Sequence, residues 1–366
     1  MPVSTGEVPL ILSQGMRVVK AFEVIIPDGM ARNYQYLSYR DRLVRRLRRP
    51  LDPRARRVTI QSKALGVTKH FYVSLPPGYH SRSNSHVRYP TLYLFRGHER
   101  EWVHRWQDRS RRGRTVIDVY RELLQAGRVG PMILVFPGIS SDDNRVPGLL
   151  VNFLAPGLAK GAPGVGTGRF QDYFLEELMP CVDEMFRTIP QRTGRAVDGF
   201  SLGGFQAIKI AAQRPDLFCS AGSFDGTFLY ATQGGRSVRA QDRVLRNPMF
   251  DPAFGVPRDL EYVAANSPAN LLWRGDHDAL AGVQWLISSG PPSGEPWQSN
   301  YYRAQHVIGI LHRRGLDNGI PAVIPRARHN WHWADRHMRL TLPLHWRAFG
   351  RNLSTGTHTP LHLIGD

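Results

Sequence analysis

Short apolar runs and helical spacings alternate along most of the chain. Arg57-Val58-Thr59-Ile60 and His70-Phe71-Tyr72-Val73-Ser74-Leu75 predict an antiparallel pair of strands, the second stopped by Pro76-Pro77-Gly78-Tyr79. Thr91 to Phe95 and Met132 to Phe136 are apolar enough to be buried on both faces, and Val116 to Ala126 between them has helical spacing. After a loop over 137–168, rich in Gly, Pro, Ser and Asp, Phe174, Leu178, Val182 and Met185 recur at helical intervals within Tyr173 to Phe186. Arg195 to Phe200, Leu217 to Phe224, Val283 to Ser289 and Ile320 to Ile324 read as further strands. Leu202 to Gln213, Ser299 to Arg314 and Ala334 to Phe349 read as helices. Residues 230–282 break the rhythm and read as an insertion or cap.

Alternation of apolar strands with helices predicts an α/β fold: a mostly parallel central sheet with helices on both faces. Its domain is expected over 54–352. Residues 1–53 form a basic N-terminal extension ending at Pro50 and Pro53, and residues 353–366 form a C-terminal tail. Ligands of such sheets sit outside the carboxyl ends of the strands, so the chemistry should follow strand ends.

Composition and charge narrow the classes. The 366 residues are 42% hydrophobic and 21% charged, a globular balance that excludes disordered, collagen-like and coiled-coil chains. No apolar run reaches the roughly 18 residues of a membrane helix. The patch Val8-Pro9-Leu10-Ile11-Leu12 has no basic residue before it, so a signal peptide is not expected and a cytoplasmic location is. Two cysteines make neither a disulfide scaffold nor a metal finger. The net charge is +18, and only five of the 48 basic residues are lysines. Arginines cluster at 40–57 and 109–114. Such clusters could attract a polyanion, but no nucleic-acid-binding motif accompanies them, so they read as solvated surface.

Gly199-Phe200-Ser201-Leu202-Gly203 fits G-x-S-x-G between a strand and a helix, the context of a nucleophile elbow. The tight turn presents Ser201 at a helix N-terminus, where developing negative charge is favoured. A serine hydroxyl needs a base. His329, after the last expected strand, is the candidate, with His332 as the alternative. The acid that orients the base is expected after the strand at 283–289, where Glu295 is the carboxylate available; Asp276, Asp278 and Asp317 are placed less well. Oxyanion donors are expected at the backbone N–H of Leu202 and, after Phe95, of His98. Arg96, Trp102, Trp297 and Trp331 fall in strand-end loops and are candidate substrate contacts, although the tryptophans could equally be packing. Gly161 to Gly168 lacks the Lys-Ser/Thr ending of a phosphate loop. His329 and His332 have no third ligand at fitting spacing, so neither metal nor cofactor is expected.

Several of these segments together resemble the esterase D, antigen 85 and enterochelin esterase-like branch of the α/β-hydrolases. They are Tyr72 to Tyr79, Tyr89 to Gly97, Gly168 to Pro180, Gly199 to Gly204, Ala265-Asn266-Ser267-Pro268 and His329-Asn330-Trp331, spanning about 56–350. The resemblance implies a serine esterase, or an acyltransferase to an alcohol on the same triad, with Ser201, Glu295 and His329 at the matching positions. The partner it implies is a small-molecule ester, for which the basic balance favours an anionic one. Arg96 departs from the His or Asp usual before the glycine of the oxyanion turn. A third function, from another class, is a non-catalytic polyanion-binding protein using the arginine surface. Oligomeric state stays open.

Overall fold

The computed structural model describes residues 51–229, 244–294 and 299–354. Among these residues seven strands form one sheet: β1 (Ala55–Ser62), β2 (Val67–Ser74), β3 (Thr91–Phe95), β4 (Ile133–Phe136), β5 (Arg195–Gly199), β6 (Ser220–Phe224) and β7 (Gln284–Ser288). Their order is β1-β2-β4-β3-β5-β6-β7. β1 pairs antiparallel with β2, and β2 with β4; every other pairing is parallel. The alternation read in the sequence is therefore a mostly parallel sheet with an antiparallel hairpin at one edge.

Among the described residues five longer helices cover it: α1 (Val116–Gln125), α2 (Phe170–Met185), α3 (Leu202–Gln213), α4 (Tyr301–Arg313) and α5 (Trp331–Ser354). Side chains of the central strands alternate between two cores. Tyr93, Phe95, Ile133, Val135 and Val197 pack on one face with α2, α3 and α4. Leu92, Leu94, Leu134, Phe136 and Ala196 pack on the other with α1 and α5. Burial on both faces explains the unbroken apolar runs. A capping box starts α1: Thr115 Oγ1 accepts from Ile117 N at 3.2 Å, and the Asp118 carboxylate accepts from Thr115 N at 2.8 Å. Within α2, residues Tyr173–Leu178 widen into a π-helix just before Pro180, whose missing N–H interrupts the ladder.

One expectation changes. Ile320 to Ile324 forms no strand; it contributes a single bridge, Val323 with Ser289, and Asn318 just before it bridges Trp285. Pro321 within it and Pro325 after it remove donors that a ladder needs. Residues 244–281 within the expected insertion are short helical turns, while 230–243 lie outside the described residues, as do 1–50 and 355–366. No helix among the described residues is long and apolar enough to cross a membrane.

Candidate active site

β5 delivers Ser201 to its edge, and the turn into α3 is as tight as the motif predicts. Ser201 has φ 60° and ψ −120°, a conformation that costs on the order of 1–3 kcal/mol and persists because its surroundings impose it. Gly199 and Gly203 make it possible. A Cβ on Gly199 would run into the Gly203 backbone, and one on Gly203 would run into the Phe95 carbonyl. The strand end is pinned by Ser201 N donating to the Phe224 carbonyl at 3.0 Å and Thr227 N donating to the Ser201 carbonyl at 3.0 Å. Ser201 is 5% exposed, and its Oγ lies 3.3 Å from Thr227 Oγ1.

One strand over, Asp225 follows β6 directly and is fully buried. Its Oδ1 accepts from Asn300 N (2.9 Å), Gly290 N (3.2 Å) and Ser299 Oγ (3.4 Å). Its Oδ2 lies 2.6 Å from His329 Nδ1. The imidazole of His329 also packs 4.7 Å from the ring of Phe200, the residue before Ser201. His329 thus stands beside the elbow with one nitrogen held by a buried carboxylate. His332 is instead exposed, with its backbone N–H on Ser110 Oγ.

Sequence reasoning missed Asp225. Glu295 was expected to hold the histidine; it lies outside the described residues, as does Trp297, and the carboxylate on His329 Nδ1 is Asp225. The sequence carries only a weak signal for it: Asp225-Gly226 closes the strand-like run that ends at Phe224, at the carboxyl end of the strand next to the elbow.

The loop after β3 also differs from expectation. The His98 N–H is engaged, donating to Glu101 Oε1 at 3.0 Å, and the Gly97 N–H reaches the same oxygen at 3.3 Å. The His98 ring lies 3.0 Å from the Asp142 carbonyl and 3.1 Å from Glu99 Oε2. Arg96 places its guanidinium 5.3 Å from the Phe200 ring centre, with Nε 3.5 Å from Glu101 Oε2. The Arg96 backbone nitrogen comes close to the elbow, 2.7 Å from where a Cβ on Gly203 would stand.

Trp102 and Trp331 are packing residues, with 1% and 5% exposure, rather than open substrate contacts. Trp102 Nε1 donates to the Phe95 carbonyl at 2.9 Å, and its ring meets Trp331 edge-on at 5.0 Å. Several clustered arginines are engaged internally: Arg54 with Asp52 and Asp118, Arg111 with Asp335, Arg114 with Glu122. They are correspondingly less available to a polyanion. No group of three or more His, Cys, Asp or Glu suited to a metal occurs among the described residues.

Comparison with known proteins bears on the family and the fold. The family model described as "Putative esterase" matches residues 62–318. Esterase Rv1288 of Mycobacterium tuberculosis is 32% identical over 278 residues, which are 74% of this chain and 54% of that protein. This chain therefore spans about half the length of the curated relatives it matches. Among solved structures, a ferulic acid esterase superposes with a TM-score of 0.58 at 21% identity, covering 81% of this chain and 98% of that one. An S-formylglutathione hydrolase from Agrobacterium tumefaciens gives 0.56 at 18% identity, covering 80% and 95%. These likenesses identify the sheet and its helices as the α/β-hydrolase fold, and the chain belongs to the esterase family that the model describes.

Proposed function

We propose that the chain is a serine ester hydrolase in which Ser201 is the nucleophile, His329 the general base and Asp225 the acid that orients it. The observation that carries this reading is the 2.6 Å contact of His329 with buried Asp225 beside a serine held at positive φ. With its Nδ1 proton held by Asp225, His329 leaves Nε2 free to take the Ser201 proton. Ser201 Oγ then attacks the ester carbonyl. The oxyanion is received by the Leu202 N–H, at the first position of α3 where no intrahelical acceptor exists, and by the Arg96 N–H. His329 passes its proton to the departing alcohol. Water, activated by the same imidazole, releases the acid from the acyl-enzyme.

An anionic ester suits the surroundings. Besides Arg96, a cavity of about 400 Å³ is lined by Arg57, Arg100, His70 and Tyr72. Of the two carboxylates at its wall, Asp142 is paired with Lys69 at 2.8 Å, and Glu99 lies 3.1 Å from the His98 ring. Tyr72 pairs with Phe136 at the carboxyl end of β4, so the cavity shares the sheet edge of Ser201. Three strand spacings separate β2 from β5, about 14 Å. An ester with a negative group that far from its carbonyl would reach both places.

The test is hydrolysis of p-nitrophenyl butyrate by wild type and Ser201→Ala, with a fluorophosphonate label located by mass. Turnover that is lost in the variant, with label on Ser201, is expected. Folded wild type that is inert and unlabelled, or a variant that still turns over, overturns the reading. Arg57→Gln/Arg100→Gln should raise KM for an ester bearing a remote carboxylate and leave a neutral ester unchanged; equal effects on both would remove the anionic assignment.

A further inference from the structure

A second carboxylate–histidine cluster lies inside the fold, sealed from solvent. Asp198 of β5 and His337, Thr341 and His345 of α5 are all fully buried. Asp198 Oδ1 accepts from Gly199 N at 2.6 Å and lies 3.2 Å from His337 Nε2. Its Oδ2 accepts from Thr341 Oγ1 at 2.9 Å and lies 3.0 Å from His345 Nε2. Each ring continues to a strand serine, His337 Nδ1 to Ser288 Oγ of β7 and His345 Nδ1 to Ser220 Oγ of β6, both at 2.8 Å. The three α5 residues recur every fourth position and so share one helix face. Gly222 of β6 leaves the space the carboxylate occupies, since a Cβ there would run into it.

Such a cluster is a poor way to gain stability. Burial alone would push the Asp198 carboxyl up; the charge and hydrogen bonds of His337 and His345 hold it well below the usual carboxylate range. Well-packed apolar residues often replace buried ion pairs at no loss. What directional bonds supply and apolar contacts do not is register. A helix displaced by one turn moves about 5.4 Å along its axis, and Asp198 can meet His337, Thr341 and His345 together at one setting only. That setting matters because α5 starts two residues after His329. Asp198 precedes Ser201 by three residues, and the carbonyl of Ser288 accepts the Asp225 N–H at 2.7 Å. The cluster therefore ties together the elements that carry all three members of the site.

We propose that Asp198, His337, Thr341 and His345 are positioning residues, which fix α5 against β5, β6 and β7 and thereby set His329 against Asp225 and Ser201. None of them meets substrate. The inference rests on the triad proposed above.

The test compares Asp198→Asn, Thr341→Val and Thr341→Ser with wild type. Four quantities are read: kcat and KM for p-nitrophenyl butyrate, the thermal midpoint, and the His329 ring Cε1–H resonance, assigned by its loss in His329→Gln. Asp198→Asn should lower kcat at least tenfold with KM within about twofold, and shift the resonance. Thr341→Val should lower kcat several-fold at an unchanged fold, and Thr341→Ser, which keeps the hydroxyl, should restore it. Folded variants with wild-type kcat and an unmoved resonance would overturn the proposal. If Asp198→Asn does not fold, the Thr341 pair decides alone. If wild type itself has no Ser201-dependent turnover, the triad reading fails. The resonance still decides for the cluster: a shift in Thr341→Val supports it, and none overturns it.

Discussion

His329 and Asp225 are 104 residues apart in the chain and 2.6 Å apart in the fold. The bond is directed. Three donors converge on Asp225 Oδ1, from Gly290, Ser299 and Asn300, which leaves Oδ2 for the imidazole. Asparagine at this position would offer an amide to the ring and favour the wrong tautomer. Asp225→Asn should therefore lower kcat by roughly 10³–10⁴ with KM nearly unchanged. Glu295→Gln should stay within a few-fold of wild type. Steady-state kinetics of the two variants side by side assign the acid, and the opposite ranking would return the role to Glu295.

Thr227 shares a hydrogen bond with the proposed nucleophile, Oγ1 to Ser201 Oγ at 3.3 Å. With Ser201 as the donor, that bond must break before the hydroxyl proton can pass to His329. Net worth for a neutral pair is about 0.5–1.5 kcal/mol. Thr227→Val, close in shape, should raise the rate of fluorophosphonate labelling by about two- to tenfold. A slower rate would mean that Thr227 assists attack instead of delaying it.

Most of this architecture was legible because its causes are local. Thr91 to Phe95 and Leu202 to Gln213 fall on the expected residues, since a doubly buried strand and a helix behind a glycine turn are written in apolar spacing. The elbow was legible because its sterics demand glycines at fixed offsets. The acid was not. An aspartate at a strand end has many counterparts, and what distinguishes Asp225 is the set of donors arriving from residues 290–300 and 329, which only tertiary contact brings there. The expected oxyanion donor failed similarly, because Glu101 turns back within its own loop to take the His98 N–H. Trp102 and Trp331 were misleading because strand-end loops on this fold also carry core residues.

Arg111 anchors the helix that follows His329. It is 2% exposed, and its Nε and Nη2 bond Asp335 of α5 at 2.9 and 2.8 Å. Its Nη1 reaches the Glu101 carbonyl at 2.8 Å, and its guanidinium lies 4.6 Å from the Trp331 ring centre. Arg111→Leu leaves Asp335 buried without its cation and should cost about 3–5 kcal/mol. Arg111→Leu/Asp335→Leu should cost less than the single change, because no unpaired charge remains. Urea midpoints of the two proteins check this; a double variant weaker than the single would show that the pair itself, rather than its unpaired half, sets the loss.

Lys209 lies in α3 behind the elbow, fully buried, and donates to the Leu150 carbonyl and to Gln171 Oε1. Leu150 and its neighbour Leu149 have φ of 52° and 55°, left-handed conformations unfavourable for leucine, so the lysine holds a strained turn of the 137–168 loop. Burial pushes its pKa down to about 7, opposed in part by Asp172. The folded chain thus releases this proton near pH 7, whereas the unfolded chain keeps it to about pH 10. Between those values the unfolded state binds more protons, and stability rises with pH. Lys209→Met removes the titration and also leaves the Leu150 carbonyl without its donor. Wild type should therefore gain on Lys209→Met as pH rises from 7 to 9.5, by about 3 kcal/mol at 1.36 kcal/mol per unit. Below pH 7 the difference between the two proteins should level off. Urea unfolding across this range reads both limbs, and parallel profiles for the two proteins would mean that Lys209 stays charged in the fold.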